Sequence, residues 1–381
     1  MILQILIWVI WAVTATGVAY LFAYALLSLM YRKREFSGGE DLRIITLVPA
    51  YHSDLTIMDT ARAAAAQSHP RHRVIVISDG MSPETVGALR AIPVEVMEVS
   101  FRQSSKARAL AEAMGRLGED EADIVTILDA DNIVSREYAS TIAGAFAGGC
   151  RAVQLHRTAR NRDTSTAVTD ALSEEINNAI FRKGHVAAGL TSALIGSGMA
   201  FGYGWFREAV KGLETAGEDK ELELMLLKQG IKVAYIDGET VLDEKTRSDA
   251  NYSRQRRRWI STQFDCLGRA ARSFSSAADH IGMADKMLQW SLPPRMVLLG
   301  TLALMTLLCT VLDFSHCLKW WILAIMALAT IALAAPKGTS LKDMAGVCLK
   351  FPKLAIVAAA NMLRLKGASS TFIHTHHDGK Q

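Results

Sequence analysis

In the stretch VTILDADNIV, residues 125–134, an apolar run ends in two carboxylates one residue apart, Asp129 and Asp131. Like charges that close repel unless an opposite charge offsets them, and a divalent cation is the strongest local source of one. Hard oxygen ligands suit Mg²⁺ or Mn²⁺, with a substrate's phosphates completing the shell. The competing reading is an Asx-turn, in which either aspartate caps the chain beyond Asn132. Two further groupings could do chemistry. Asp79 ends a second apolar run, HRVIVISDG, and four arginines crowd residues 254–258 of RQRRRW.

These side chains need a frame. LRIITLVPAY, HRVIVISDG, VEVMEVS and ADIVTILDADN read as strands, the first ending at Pro49. TIMDTARAAAAQS, SPETVGALRAI and SKARALAEAMGRL read as the helices between them, with Ser82 as an N-cap. Strand and helix alternate, and the strands are apolar runs rather than alternating patterns. This predicts an α/β domain with a mainly parallel sheet covered on both faces. Ligands bind such sheets at the carboxyl ends of strands, so Pro49, Asp79 and the Asp129/Asp131 pair should line one crevice.

Half of the 381 residues are hydrophobic, and the net charge is only +4. The charge gives no argument for nucleic acid as a partner, and the hydrophobicity directs attention to membrane segments. Residues 2–30 carry no Asp, Glu, Lys or Arg, a run long enough to span a bilayer. Arg32, Lys33 and Arg34 follow it, which by the positive-inside rule places the N-terminus outside and the rest in the cytoplasm. Hydrophobicity returns at 296–312 and 320–335, as a tight helical hairpin with Lys337 and Lys342 after it. The expected organisation is a transmembrane helix at 1–31, a cytoplasmic domain at 40–275 and an interface helix at 279–291. The hairpin follows at 296–336, then an interface helix and tail at 341–381, with a fresh helix beginning after Pro352. The five cysteines are scattered without a CxxC pair and read as reduced packing residues.

LVPAYHSD, VISDG, SSKARAL, LDADN, GSGMAF, GEDKELELML and QRRRW occur in the order found in membrane-bound family 2 glycosyltransferases. That group includes cellulose, chitin and hyaluronan synthases and ceramide glucosyltransferase. The resemblance covers roughly residues 43–262 and is similar to bacterial envelope members. It implies a GT-A-type fold with transmembrane helices on either side, in a bacterial inner membrane. It implies an inverting transfer of a hexose from a UDP-sugar, with Mg²⁺ or Mn²⁺ held by Asp131 and Asp129. Pro49, Asp79, Lys106, Asp129, Gln255 and Arg258 would hold the donor. Asp219 would be the general base, and Trp259 would stack on the acceptor. Gly196, Ser197 and Gly198 would lie beside the acceptor. This chain reads Gly217-Glu218-Asp219 where relatives have Thr-Glu-Asp, and PAYHSD where they have Asn and an acidic residue. His52 and Asp54 are the substitutes there. By analogy with hyaluronan synthases, the tail bearing His374, His376 and His377 would fold back to the catalytic mouth; a disordered tail is the alternative.

Bland readings stand beside these. Asp79 could be a turn residue before Gly80, Lys106 a solvated helix lysine, and Glu218/Asp219 an acidic pair favouring the helix dipole. Arg256 and Arg257 could meet anionic lipid heads. The acceptor is a membrane-associated polysaccharide in one version and a lipid receiving a single sugar in another. Three spans are few for a one-chain polysaccharide channel, and a homodimer would add more. From other classes, the chain could be a non-catalytic nucleotide-sugar-binding assembly subunit or a small transporter. Against the transporter, the expected spans lack intramembrane Asp, Glu, Lys or Arg.

Overall fold

The structure, a computed structural model, describes residues 1–363 apart from 214, 216, 313 and 337. The histidine-bearing tail and Lys337 therefore lie outside the described residues. Eight strands form one sheet: β1 (Ile44–Tyr51), β2 (His72–Asp79), β3 (Glu95–Val99), β4 (Ile124–Ile127), β5 (Ile133–Val134), β6 (Ala152–Ala159), β7 (Met199–Gly202) and β8 (Val233–Asp243). Their order is β3-β2-β1-β4-β7-β6-β8-β5. β3, β2, β1 and β4 run parallel, as do β6 and β8. β7 runs against both its neighbours, and β5 against β8. The second half of the GSGMAF stretch belongs to β7. β1 continues through Pro49 to Tyr51.

The helices are α1 (Ile2–Ser28), α2 (Ile57–Ala65), α3 (Pro83–Arg90), α4 (Lys106–Arg116), α5 (Tyr138–Ala147), α6 (Ser165–Asn178) and α7 (His185–Ala187). They continue as α8 (Tyr203–Ala209), α9 (Glu218–Lys228), α10 (Asp249–Ser273), α11 (His280–Ser291), α12 (Arg295–Leu312), α13 (Leu318–Ala334) and α14 (Leu341–Met362). A π-helical turn, Ala179–Gly184, joins α6 to α7. Apolar residues cover both sheet faces. Leu47, Ile75, Val125 and Phe201 pack towards α4 and α8, and Val48, Val76, Leu155 and Ile236 towards α2 and α5. Ser82 caps α3 as expected, its Oγ accepting from Thr85 N at 3.2 Å. All five cysteines are free.

Gln4–Ser28 of α1 and Arg295–Leu312 are long and apolar enough to cross a bilayer, whereas the second hairpin helix, Leu318–Ala334, has 17 residues. α14 passes through Pro352 without a break. The proline costs one helical hydrogen bond, and packing on α12, α10 and α6 holds the helix together. α1 is fixed to the sheet domain at several points. Tyr20 and Tyr24 donate to Asp285 of α11 at 2.9 and 2.7 Å. A Cβ on Gly184 would lie 2.2 Å from the Tyr24 carbonyl oxygen, so only glycine permits that approach.

Two histidines away from the strand-end crevice contribute to the pH dependence of stability. Burial opposes the charge on His156, but bonds to Asp237 and Glu175 outweigh it and raise its pKa to about 9. A group raised in the fold stabilises fully below its unfolded value, near 6.5, and that contribution is lost as pH rises towards 9. Burial, then His69, lowers His72 to about 4. Its contribution is complete above about 6.5 and is lost as pH falls towards 4. Thermal stability should therefore peak near neutrality. In His156→Gln the decline on the alkaline side should flatten while the acid side is unchanged. An unaltered alkaline limb in melting curves of that variant would refute the assignment.

Candidate active site

A cavity of about 500 Å³ opens at the carboxyl ends of β1, β2 and β4. Pro49, Asp79, Lys106, Asp129, Asp131, Gly196, Asp219, Gln255, Arg258 and Trp259 all line it. Residues spread over more than two hundred positions of sequence thus converge on one space. The turn after β4 is shaped by its own side chains. Asp129 N donates to Asn132 Oδ1 at 3.0 Å and to Ser197 Oγ at 3.1 Å. The Asx-type bonding therefore comes from Asn132, which leaves both aspartate carboxylates turned to other partners.

The two carboxylates meet different environments. Lys106 Nζ donates to Asp129 Oδ1 at 2.5 Å, to the Gly196 carbonyl at 2.7 Å, and lies 3.2 Å from Glu218 Oε1. Burial disfavours the Lys106 charge, but Asp129 and Glu218 outweigh it and raise its pKa. Asp131 is buried, and Asn132 Nδ2 reaches it at 3.2 Å and Asp243 Oδ1 at 3.1 Å. Burial first, then Asp243 and Asp129, push the Asp131 carboxyl well above its ordinary range, against the pull of Arg157.

Behind this pair lies a network with no counterpart in the sequence reading. Arg157 Nε donates to Glu174 at 2.7 Å, and Arg157 Nη1 lies 3.8 Å from both Asp129 and Asp243. Lys245 bonds to Glu174 and, at 2.7 Å, to Asp243. Burial works against the Asp243 charge, but Arg157 and Lys245 outweigh it and hold that carboxyl well below the usual carboxylate range. Asp129, Asp131, Glu174, Glu218 and Asp243 thus face Lys106, Arg157 and Lys245, an excess of negative charge centred on Asp131. A divalent cation fits that excess. Among the described residues no three His, Cys, Asp or Glu side chains form a metal cluster. The oxygen pair is therefore suited to an ion whose shell a ligand's phosphates complete.

α9 and α10 close the other side. Burial raises Glu218, with Lys106 opposing and Asp219 and Asp129 adding to the rise. Asp219, half-buried beside it, has no hydrogen bond or ion pair among the described residues and faces the cavity. A Cβ on Gly217 would lie 2.2 Å from Thr262 Cγ2. Thr262 of α10 thus fills the space that a threonine at 217 would need. Arg256 does not reach outward towards lipid heads. It lines the cavity, donates to Asp170 at 3.1 Å and stacks on Trp259 at 5.1 Å.

Four residues singled out in the sequence stand apart. Ser197 is fully buried behind the β4 turn, where its Oγ bonds to Asn132. Gly198, at φ +63°, packs on Val241. Both brace the Asp129 loop and do not line the cavity; of that trio only Gly196 does. Asp54 accepts from Ser82 N and Oγ at 2.9 and 2.7 Å, so it ties the β1 loop to α3. His52 packs edge-on against Tyr51 and over Gly80. The available signal for the missed network was weak, since Arg157 and Asp243 lie in strands that carry other polar residues, AVQLHRTA and VAYIDGETVLD. A buried charge there is sustained only by partners.

The family described as glycosyltransferase-like family 2 matches residues 43–262, more than half of the chain. No curated protein matches it in sequence. Among solved structures, a mannosyltransferase from Pyrobaculum calidifontis in complex with GDP-Man and Mn²⁺ is similar, with a TM-score of 0.53 and 16% identity over 93% of this chain and 98% of that one. Glucosyl-3-phosphoglycerate synthase from Mycobacterium tuberculosis, with Mn²⁺, UDP and glucosyl-3-phosphoglycerate, has a TM-score of 0.44 and 19% identity, over 60% and 80%. TarS from S. aureus with UDP-GlcNAc has a TM-score of 0.43 and 11% identity, over 85% and 89%. The first likeness is one of fold and accords with the α/β domain described above. From the family match, carried on a strand-end cavity that gathers the motif residues, the chain belongs to glycosyltransferase-like family 2 and is a glycosyltransferase.

Proposed function

We propose that the protein is an inverting enzyme that moves a hexose from a UDP-sugar to an acceptor presented at a membrane, with its catalytic domain in the bacterial cytoplasm. The observation that carries this reading is the convergence of Asp129, Asp131, Lys106, Asp219 and Arg258 on one cavity, whose far end runs out between apolar helices. Asp79 and Pro49 bound the nucleotide end. Lys106 and Arg258 meet the pyrophosphate by charge-assisted hydrogen bonds, and Asp131 with Asp129 would hold Mg²⁺ or Mn²⁺. The cation, when bound, neutralises charge on the departing diphosphate. Asp219 takes the proton of the acceptor hydroxyl. That oxygen forms the new bond to the anomeric carbon as the bond to the diphosphate oxygen breaks on the opposite face. Trp259 supplies an apolar platform beside the attacking group.

A single transfer to a lipid is favoured over polymer extrusion by one feature. Leu21, Leu298, Leu354 and Val357 give the cavity an apolar stretch beside the polar Arg295 and Asn361, a lining that suits an amphiphile. In inverted membrane vesicles, an external panel of UDP-sugars should yield UDP from one donor. Sealed right-side-out vesicles should yield none. Turnover only in the right-side-out vesicles would overturn the orientation, and no UDP release from any donor after solubilisation would overturn the donor class.

A further inference from the structure

Two guanidinium groups converge on one hydroxyl at the junction of the catalytic cavity and the apolar helices. Arg256 of α10 donates to Ser173 Oγ at 3.1 Å, and Arg295, the first residue of α12, donates to the same oxygen at 2.7 Å. Their positive charges therefore lie within two hydrogen-bond lengths of each other, where they repel. Asp170, at 3.1 Å from Arg256, offsets them in part, and Glu174 also supports the Arg256 charge. Among the described residues, the other partners of Arg295 are neutral oxygens, Asn177 Oδ1 at 3.1 Å and the Ser173 carbonyl at 3.2 Å. Arg182, in the π-helical turn that follows α6, adds a third guanidinium to the same wall and is buried, whereas Arg256 and Arg295 are half-buried. The Nε atoms of Arg182 and Arg256 are both buried without a hydrogen-bond partner among the described residues. Buried donors left unpaired are costly, and π-helical turns are frequent at functional sites. Two guanidinium groups that share one neutral hydroxyl at a cavity wall suit an anion.

The surroundings state which anion fits. On one side Arg256 stacks on Trp259, which lines the same cavity as Asp219. On the other, the cavity wall turns apolar through Leu21, Phe181, Leu292, Leu298, Leu354 and Val357, from α1, the π-helical turn, the α11–α12 link, α12 and α14. A molecule filling this space carries a hydroxyl-bearing head, then a negative charge, then an apolar tail. We infer that Arg256 and Arg295 form a subsite for the phosphate of a phosphodiester-linked amphiphilic acceptor, its head towards Trp259 and Asp219 and its tail among the apolar helices. This rests on the donor reading above and narrows its acceptor.

The test uses the full chain in a neutral maltoside detergent, with radiolabelled dodecyl phosphate as the probe. Dodecanol and inorganic phosphate serve as competitors. Dodecyl phosphate should bind saturably and resist both competitors. Arg295→Gln and Arg256→Gln should each weaken it about tenfold or more, whereas Arg254→Gln, an equal loss of charge at an exposed position of α10, should not. Equally tight binding of inorganic phosphate would assign the site to a free phosphate and overturn the amphiphile. Arg295→Gln and Arg256→Gln indistinguishable from Arg254→Gln would overturn the subsite. UDP binding by each variant reports folding; if Arg295→Gln loses it, Arg256→Gln carries the comparison. Slow donor hydrolysis without acceptor reads the donor site alone. Its persistence in a variant that has lost dodecyl phosphate separates failure of this subsite from failure of the donor reading.

Discussion

Asp131→Asn should abolish sugar transfer while leaving the protein folded, with a melting temperature unchanged or raised in the absence of divalent cation. The sign follows from the site's charge balance. The Asp131 carboxyl is buried and is pushed upward by its own desolvation, then by Asp243 and Asp129. A neutral amide of the same shape removes that repulsion and keeps a group for Asn132 Nδ2 to meet. What it cannot do is offer an anionic oxygen to a cation. A ligand that binds only the folded state at a hundred times its dissociation constant stabilises by about 2.7 kcal/mol. The wild-type protein with UDP should therefore melt higher on addition of Mn²⁺, and Asp131→Asn should not. EDTA should silence the wild type in the same assay. Full turnover of either the variant or the EDTA-treated enzyme would remove the metal role, and a surviving Mn²⁺ shift in the variant would move the ion elsewhere.

The frame of this site was legible from the sequence because it rests on local signals. Apolar runs of strand length, separated by helices of which one begins at the Ser82 cap, specify the β1–β4 half directly. Asp79 and the Asp129/Asp131 pair follow, since strand ends in a parallel sheet share one edge. The second half was less legible because its logic is long-range. β7 pairs antiparallel between β4 and β6, an order no local pattern announces. Arg157, Glu174, Asp243 and Lys245 come from β6, α6, β8 and the chain beyond β8, and only tertiary contact makes them one network. Ser197 and Gly198 show the opposite failure. A glycine-rich loop signals close backbone approach, but here what approaches is the Asp129 turn and Val241 rather than a ligand. Arg256 differs from its exposed neighbour Arg254 by its position around the helix. A run of arginines does not reveal which side faces the cavity.

Asp219→Asn should lower transfer by about 10² to 10⁴, the usual cost of losing a general base, while UDP-sugar affinity stays nearly constant. The competing candidate is Glu218, one residue earlier on the first turn of α9 and closer to the reading that burial would favour. Its carboxyl is raised, which suits proton uptake, but Lys106 lies 3.2 Å from its Oε1 and binds Asp129 at the same time. Neutralising Glu218 therefore loosens Lys106, and under the proposed donor role of Lys106 the Glu218→Gln variant should raise the donor KM more than it lowers kcat. Asp219 has no such partner among the described residues and faces the same cavity as Trp259. A carboxylate with free lone pairs in that cavity can receive a proton without first giving up an ion pair. The amide in Asp219→Asn keeps the size and loses that capacity, so the loss should fall on kcat with donor binding by calorimetry intact. Donor hydrolysis to water should fall less than transfer, because water attack does not use a positioned acceptor hydroxyl. Trp259→Ala should separate from both: transfer falls through acceptor KM, and hydrolysis persists. If Asp219→Asn lost donor binding as fully as Asp131→Asn, the residue would belong to the nucleotide site. If it kept near-normal turnover while Glu218→Gln lost kcat, the base would be Glu218, with Lys106 exchanging partners during the reaction.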